Sequence, residues 1–136
     1  MRIIICIDKS LSTEKVLMTA KTIIDNFKDK AYVKVIHIID ESLIKEAEGF
    51  DNLLLDELKQ DSLQIEKLAR TIISNEIFYF SEPGNPQEKI VELLKEVDYD
   101  MLIIGSHGRT GLKHLLMGSV TQYVIKHSRK PLLVIP

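Results

Sequence analysis

With 136 residues, 45% of them hydrophobic and 28% charged, the chain has the length of one domain and enough apolar side chains for a core, which excludes disorder and low complexity. A formal net charge of −2 argues against a general nucleic-acid binder, which carries a basic excess. The apolar runs are too short for a membrane span or a signal peptide, and the single cysteine, Cys6, has no internal partner, so a cytoplasmic setting is expected.

Ile3 to Ile7 is a continuous apolar run, as in a parallel strand covered on both faces, and Asp8 ends it. Cys6 on that run reads as buried packing. Ser10 and Ser12 are candidate helix caps, and Val16, Leu17, Ala20, Ile23, Ile24 and Phe27 then share one helical face. Tyr32 to Ile39 is rich in β-branched residues and reads as the second strand, ending at Asp40, with His37 in or near the core. From Glu41 to Gly49 the pattern suggests a charged loop or frayed turn. Spacing predicts a long helix from Asp51 to Ser74, with Leu54, Leu58, Ile65, Leu68, Ala69 and Ile72 inward and its charges in solvent.

Ile77 to Phe80 reads as a short third strand, and Glu82-Pro83-Gly84-Asn85-Pro86 as a breaker. Asn85 is placed to cap the next helix, Pro86 suits its first position, and Ile90, Leu93, Leu94 and Val97 form its stripe. After Asp98 to Asp100, Met101 to Ile104 is the fourth strand. A glycine-rich stretch, Gly105 to Ser119, leads into an amphipathic helix over Val120 to His127, whose inner face carries Val120, Tyr123, Val124 and His127. Lys126, Arg129 and Lys130 complement the dipole at its C-terminal end, Pro131 stops it, and Leu132 to Ile135 is the fifth strand.

This alternation implies a single-domain α/β protein over residues 1–136, a doubly wound and mostly parallel sheet with helices on both faces. For strand order 3-2-1-4-5, the winding reverses between strands one and four, and ligands bind beyond the strand ends at such a point. Asp8 and Gly105 stand at those two ends. Glycines let the main chain approach an anion, and a helix N-terminus supplies free N–H groups, so the Gly105–Ser119 stretch is expected to hold phosphates. It lacks the Gly-Lys-Ser/Thr ending of a P-loop, no Gly-x-Gly-x-x-Gly follows strand one, and Gly-Ser-His-Gly is not a nucleophile elbow. His37, His107, His114 and His127 lack metal-site spacing; His107 and His114 read as loop residues, either exposed or in contact with a ligand. Arg109 and Lys113 read either as a solvated pair on a surface loop or as cations that a folded-over loop brings to a phosphate, Arg109 more than Lys113.

Gly105-x2-Gly108-x9-Gly118-Ser119 resembles the nucleotide signature of the universal stress protein family. So do Gly-Ser-His-Gly-Arg-Thr-Gly-Leu, Leu-Met-Gly-Ser-Val-Thr and the closing Lys-Pro-Leu-Leu-Val-Ile-Pro. Asp8 with Ser10, His37-Ile38-Ile39-Asp40, and Glu82-Pro83-Gly84-Asn85-Pro86 resemble three further family stretches, so the likeness covers the whole chain.

The resemblance implies strand order 3-2-1-4-5, a Rossmann-like adenine nucleotide alpha hydrolase-like sheet, and membership of the ATP-binding branch, with AMP or ADP as other ligands and Mg²⁺ or Mn²⁺ held through the phosphates rather than by the protein. It implies Gly105 and Gly108 beside ribose and phosphates. Gly118, Ser119 and Val120 would donate to the phosphate tail, Ile38 would meet adenine through its main chain, and Asp8 would take the adenosine end. Cys6 and Lys9 depart from it, standing where the family often has proline and glycine or phenylalanine; Lys9 is expected in solvent or near a phosphate. The function implied is a stress-linked nucleotide-binding regulator, with a slow ATPase or an interaction module with a vestigial pocket as alternatives. Leu132 to Ile135 would be an apolar edge strand, a hazard that pairing in a homodimer removes. Neither membrane nor nucleic acid is expected as a partner, and the protein partner stays open.

Overall fold

Strands and helices alternate through the computed structural model, which describes residues 1–48, 52–73, 76–108 and 117–136. In chain order these are β1 (Arg2–Ile7), α1 (Thr13–Asp25), β2 (Tyr32–Asp40), α2 (Glu41–Glu48), α3 (Asn52–Ile73), β3 (Ile77–Gly84), α4 (Pro86–Glu96), β4 (Met101–Gly105), α5 (Ser119–His127) and β5 (Leu132–Ile135). The strands form one sheet of order β3-β2-β1-β4-β5, every neighbouring pair parallel. At its centre Ile5 lies opposite Val35 on one side and Ile103 on the other.

The continuous apolar runs split by the period of two that a strand imposes. Ile3, Ile5 and Ile7, with Val33, Val35 and Ile103, face α1 and α3 and meet Leu17, Ala20, Ile65, Ala69 and Ile73. Ile4 and Cys6, with Ile36, Ile38, Leu102 and Ile104, face α4 and α5 and meet Ile90, Leu94 and Val124. Two apolar layers therefore sandwich the sheet, which is why its strands carry no polar alternation. Burial pushes the Cys6 thiol up to about 12, so it sits in the second layer as packing, as expected.

Several local expectations change. Glu41–Glu48 is a helix, because Asp40 accepts from the Ser42 N–H at 3.0 Å and caps the first turn directly after the strand. β3 runs on through Glu82, Pro83 and Gly84, pairing with Ile38, Ile39 and Asp40. Proline is tolerated there because β3 is an edge strand and one side of it needs no donor. Leu54 is exposed, whereas the fully buried Ile73 belongs to the inner face of α3. His127 is also exposed, stacked on Tyr123 at a centroid distance of 4.1 Å, and Thr121 takes the buried place beside Val124. Asn85 does cap α4, accepting from the Glu88 N–H at 3.2 Å with Pro86 as the first residue.

Candidate functional site

At the carboxyl ends of the strands, the crossovers from β1 and β4 leave for opposite faces of the sheet, and a cavity of about 230 Å³ opens between them. Three walls close it. One is the end of β1, with Asp8, Lys9, Ser12 and Thr13; a second is the end of β4 with the start of α5, namely Gly105, His107, Gly108 and the run from Gly118 to Thr121. The third is built from β2, with Leu43 of α2 and Leu58 and Asp61 of α3. The last β1–β2 pair is Ile7 with His37, so Ile38, Ile39 and Asp40 run past the end of β1 and present main chain at the rim.

The glycines are where the chain is too crowded for a side chain. A Cβ on Gly108 would lie 3.0 Å from Asp8 Oδ2, and one on Gly105 would lie 3.2 Å from Val16 Cγ2. A Cβ on Gly118 would meet only backbone, with Gly108 N at 3.3 Å, Ser106 O at 3.4 Å and His107 Cα at 3.5 Å. These contacts hold the two ends of the Gly105–Ser119 stretch against one another. The Gly118 N–H donates to Ser106 O at 2.6 Å, and the Thr121 hydroxyl donates to Gly105 O at 2.6 Å. Gly118 thus joins the two parts of the wall, and its N–H is bonded to Ser106 O rather than offered to a ligand as the resemblance implied. Gly118 is also the N-cap of α5 and has no side chain to cap with. The first-turn N–H groups of Ser119, Val120 and Thr121, all residues of the cavity wall, have no intrahelical acceptor, as at any helix N-terminus.

On the β1 side, the Thr13 hydroxyl donates to Asp8 O and lies 3.3 Å from Asp8 Oδ1, fixing the carboxylate at the strand end. Ser12 begins α1 without capping it; its hydroxyl instead donates to His107 O at 3.1 Å and ties the two walls together. His107 is half-buried in the cavity wall, its Nδ1 2.8 Å from Ser106 Oγ, and is not the exposed residue that one reading of its loop position suggested. His37 is buried at the cavity floor, with Nδ1 at 3.3 Å from Tyr79 OH and 3.4 Å from Ser81 Oγ. Burial holds its imidazole below its ordinary pKa, while Asp8 and Asp61 pull the other way. Lys9 is exposed, as expected, and its ammonium is paired: its Nζ is 2.6 Å from Asp61 Oδ1.

The structure brings Asp8, Ile38, Gly105, Gly108, Gly118, Ser119 and Val120 around one cavity. Arg109, Lys113 and His114 lie outside the described residues. Asp61 and Leu43 are wall residues that the sequence did not single out, and Leu58, expected on an inner helical face, lines the cavity as well. Asp40 and Ser42 did carry a signal, a cap pattern after a strand, whereas Asp61 stands on a helical face that reads as solvated.

The sequence model of the Universal stress protein family matches residues 1–136. The chain belongs to the universal stress protein family. Universal stress protein MJ0577 of Methanocaldococcus jannaschii is 33% identical over an alignment of 122 residues, gaps included, that takes in 76% of this chain and 75% of that one. The solved structure of hypothetical protein MJ0577 superposes with a TM-score of 0.85 at 34% identity, covering 98% of this chain and 94% of that one. The universal stress protein from Archaeoglobus fulgidus in complex with dAMP shares the fold at a TM-score of 0.63 and 21% identity, over 100% of this chain and 98% of that one. A universal stress protein family protein from Arabidopsis thaliana, with AMP bound, does so at 0.65 and 15%, over 98% and 90%. The parallel sheet of order 3-2-1-4-5 is thus the universal stress protein architecture, and nucleotide-bound structures occur within it.

Proposed function

We propose that the chain is a nucleotide-binding regulator that holds ATP, or its ADP and AMP counterparts, in the cavity between β1 and β4. The observation that carries this reading is the N-terminus of α5, without a side-chain cap, opening on a cavity whose opposite wall presents the β1-facing side of β2 beyond its last β1 pair and the fixed carboxylate of Asp8. Phosphates would lie against the N–H groups of Ser119 and Val120, where the chain at Gly105, Gly108 and Gly118 allows close approach. The nucleoside would lie toward Asp8, as an acceptor for ribose hydroxyls, and toward the main chain of Ile38. Arg109, by its place in the sequence, is the cation to fold over the phosphates. Adenine nucleotides bound by proteins of this fold support the same ligand class.

Among the described residues no group of three or more His, Cys, Asp or Glu is arranged to hold a metal ion. In this reading Mg²⁺ or Mn²⁺ is held by the phosphate oxygens, whose charge it offsets. Binding rather than turnover is the proposed activity, because phosphoryl transfer needs a residue to position an in-line water and Asp8 is committed to the nucleoside side. Calorimetric titration with ATP and Mg²⁺ is expected to show saturable heat and to displace a fluorescent adenine nucleotide. No heat and no displacement would reject the reading.

A homodimer through β5 completes the proposal. β5 packs Leu133 and Ile135 against one layer and Leu132 and Val134 against the other, while among the described residues no strand pairs its outer edge. Leu132, Leu133 and Val134 are left half-buried. A second β5 across a two-fold axis would pair that edge and cover them. Light scattering at micromolar concentration is expected to give twice the 15.6 kDa chain mass. A mass equal to one chain rejects the dimer.

A further inference from the structure

We propose that Lys9 and Asp61 form a clasp across the nucleoside end of the cavity and set how fast a nucleotide enters and leaves. The inference rests on the nucleotide reading above and concerns residues that reading does not use. Lys9 stands immediately after Asp8, and its ammonium reaches across to Asp61 Oδ1 at 2.6 Å; both residues line the cavity. The pair therefore joins the β1 wall of the cavity to α3.

Its two ends differ in freedom. The Lys9 side chain is 58% exposed, whereas Asp61 is 21% exposed. Asp61 sits beside Ser62, which donates to Ser81 Oγ at 2.9 Å and whose carbonyl accepts from Tyr79 OH at 3.2 Å. This stretch of α3 is thus pinned to β3. At the other end, Thr13 holds Asp8 and Ser12 holds His107. Both anchors are fixed, so the movable part is the four-carbon stem of Lys9. Swinging that stem away from Asp61 opens the rim without rearranging the fold. A partly exposed ion pair of this kind is weak enough to break often and strong enough to bias the equilibrium between shut and open rims.

The test measures entry and release rates by stopped flow, using ATP labelled on its terminal phosphate, with Mg²⁺, on the full chain. Lys9→Met and Asp61→Asn change the cavity's charge in opposite directions, so ordinary attraction for an anion predicts opposite effects on entry. A clasp predicts the same effect: both variants are expected to raise entry and release together, by about two- to fivefold. The double variant should add little to either, because each change alone already breaks the pair. Lys9→Arg, which keeps the cation, should keep wild-type rates. Rates unchanged in both single variants overturn the clasp. So do opposite effects on entry, which would make Lys9 an attractor of the phosphate tail. A wild-type chain that gives no binding signal at all rejects the nucleotide reading, and the clasp falls with it; that result is distinct from binding with unchanged rates. Melting curves of each variant confirm that it is folded when measured.

Discussion

Gly118→Val is expected to weaken adenine-nucleotide binding by about a hundredfold, equivalent to roughly 2.7 kcal/mol, while leaving most of the fold intact. The cause is the company that Gly118 keeps. Even a Cβ there would stand 3.3 Å from Gly108 N and 3.4 Å from Ser106 O, and valine adds two methyl groups. These neighbours are main chain and cannot rotate aside as a flexible side chain would. Relief must come from separating the start of α5 from the end of β4, which breaks the 2.6 Å bond from Gly118 N–H to Ser106 O. The proposed phosphate donors, Ser119 and Val120, move with that helix end. Calorimetry against ATP and Mg²⁺ checks the outcome, with circular dichroism to show that the helices remain. An affinity within about threefold of wild type would remove these donors from the proposal.

The largest loss of stability is expected from Ile5→Ala. Ile5 is fully buried in the middle strand, registered between Val35 and Ile103 and packed toward α1 and α3. Cutting it to alanine removes transfer free energy and leaves a cavity between two layers that are held apart by their other contacts. The cost is about 3 kcal/mol, and the melting temperature should fall by roughly 10 °C. Leu54→Ala is the contrast, since Leu54 is 38% exposed, and its effect should stay within about 0.5 kcal/mol. Denaturant melts of the pair decide it. Equal losses would mean that the α3 face is not the one described.

These two substitutions also show what was legible in the chain. Ile5 was readable because a strand covered on both faces needs an unbroken apolar run, and the Ile3–Ile7 run is one. The glycine spacing and the helix after it were equally readable, since chain that passes close to other chain must dispense with a Cβ. Leu54 misled because helical spacing shows which residues share a face but not how far along the helix the neighbouring layer extends. Glu41–Glu48 was missed because its first turn is organised by one side chain, Asp40, more than by any apolar period. The role of Asp61 was invisible for a plainer reason. Its partner, Lys9, is 52 positions earlier in the chain, and only the stacking of α3 over the sheet brings them together.

The two rims of the sheet are chemically unequal. At β3, Pro83 has no N–H to offer an incoming strand, and the Lys34 ammonium lies 5.3 Å from the ring centres of both Phe78 and Phe80, setting a hydrated charge over the aromatic surface beside that rim. Within β5, Leu132–Ile135 has neither a proline nor a charge, and its flanking prolines, Pro131 and Pro136, stand only at its two ends. Copies joined rim to rim through β5 would therefore end in two guarded borders, and growth into a fibre would stop at the first pairing.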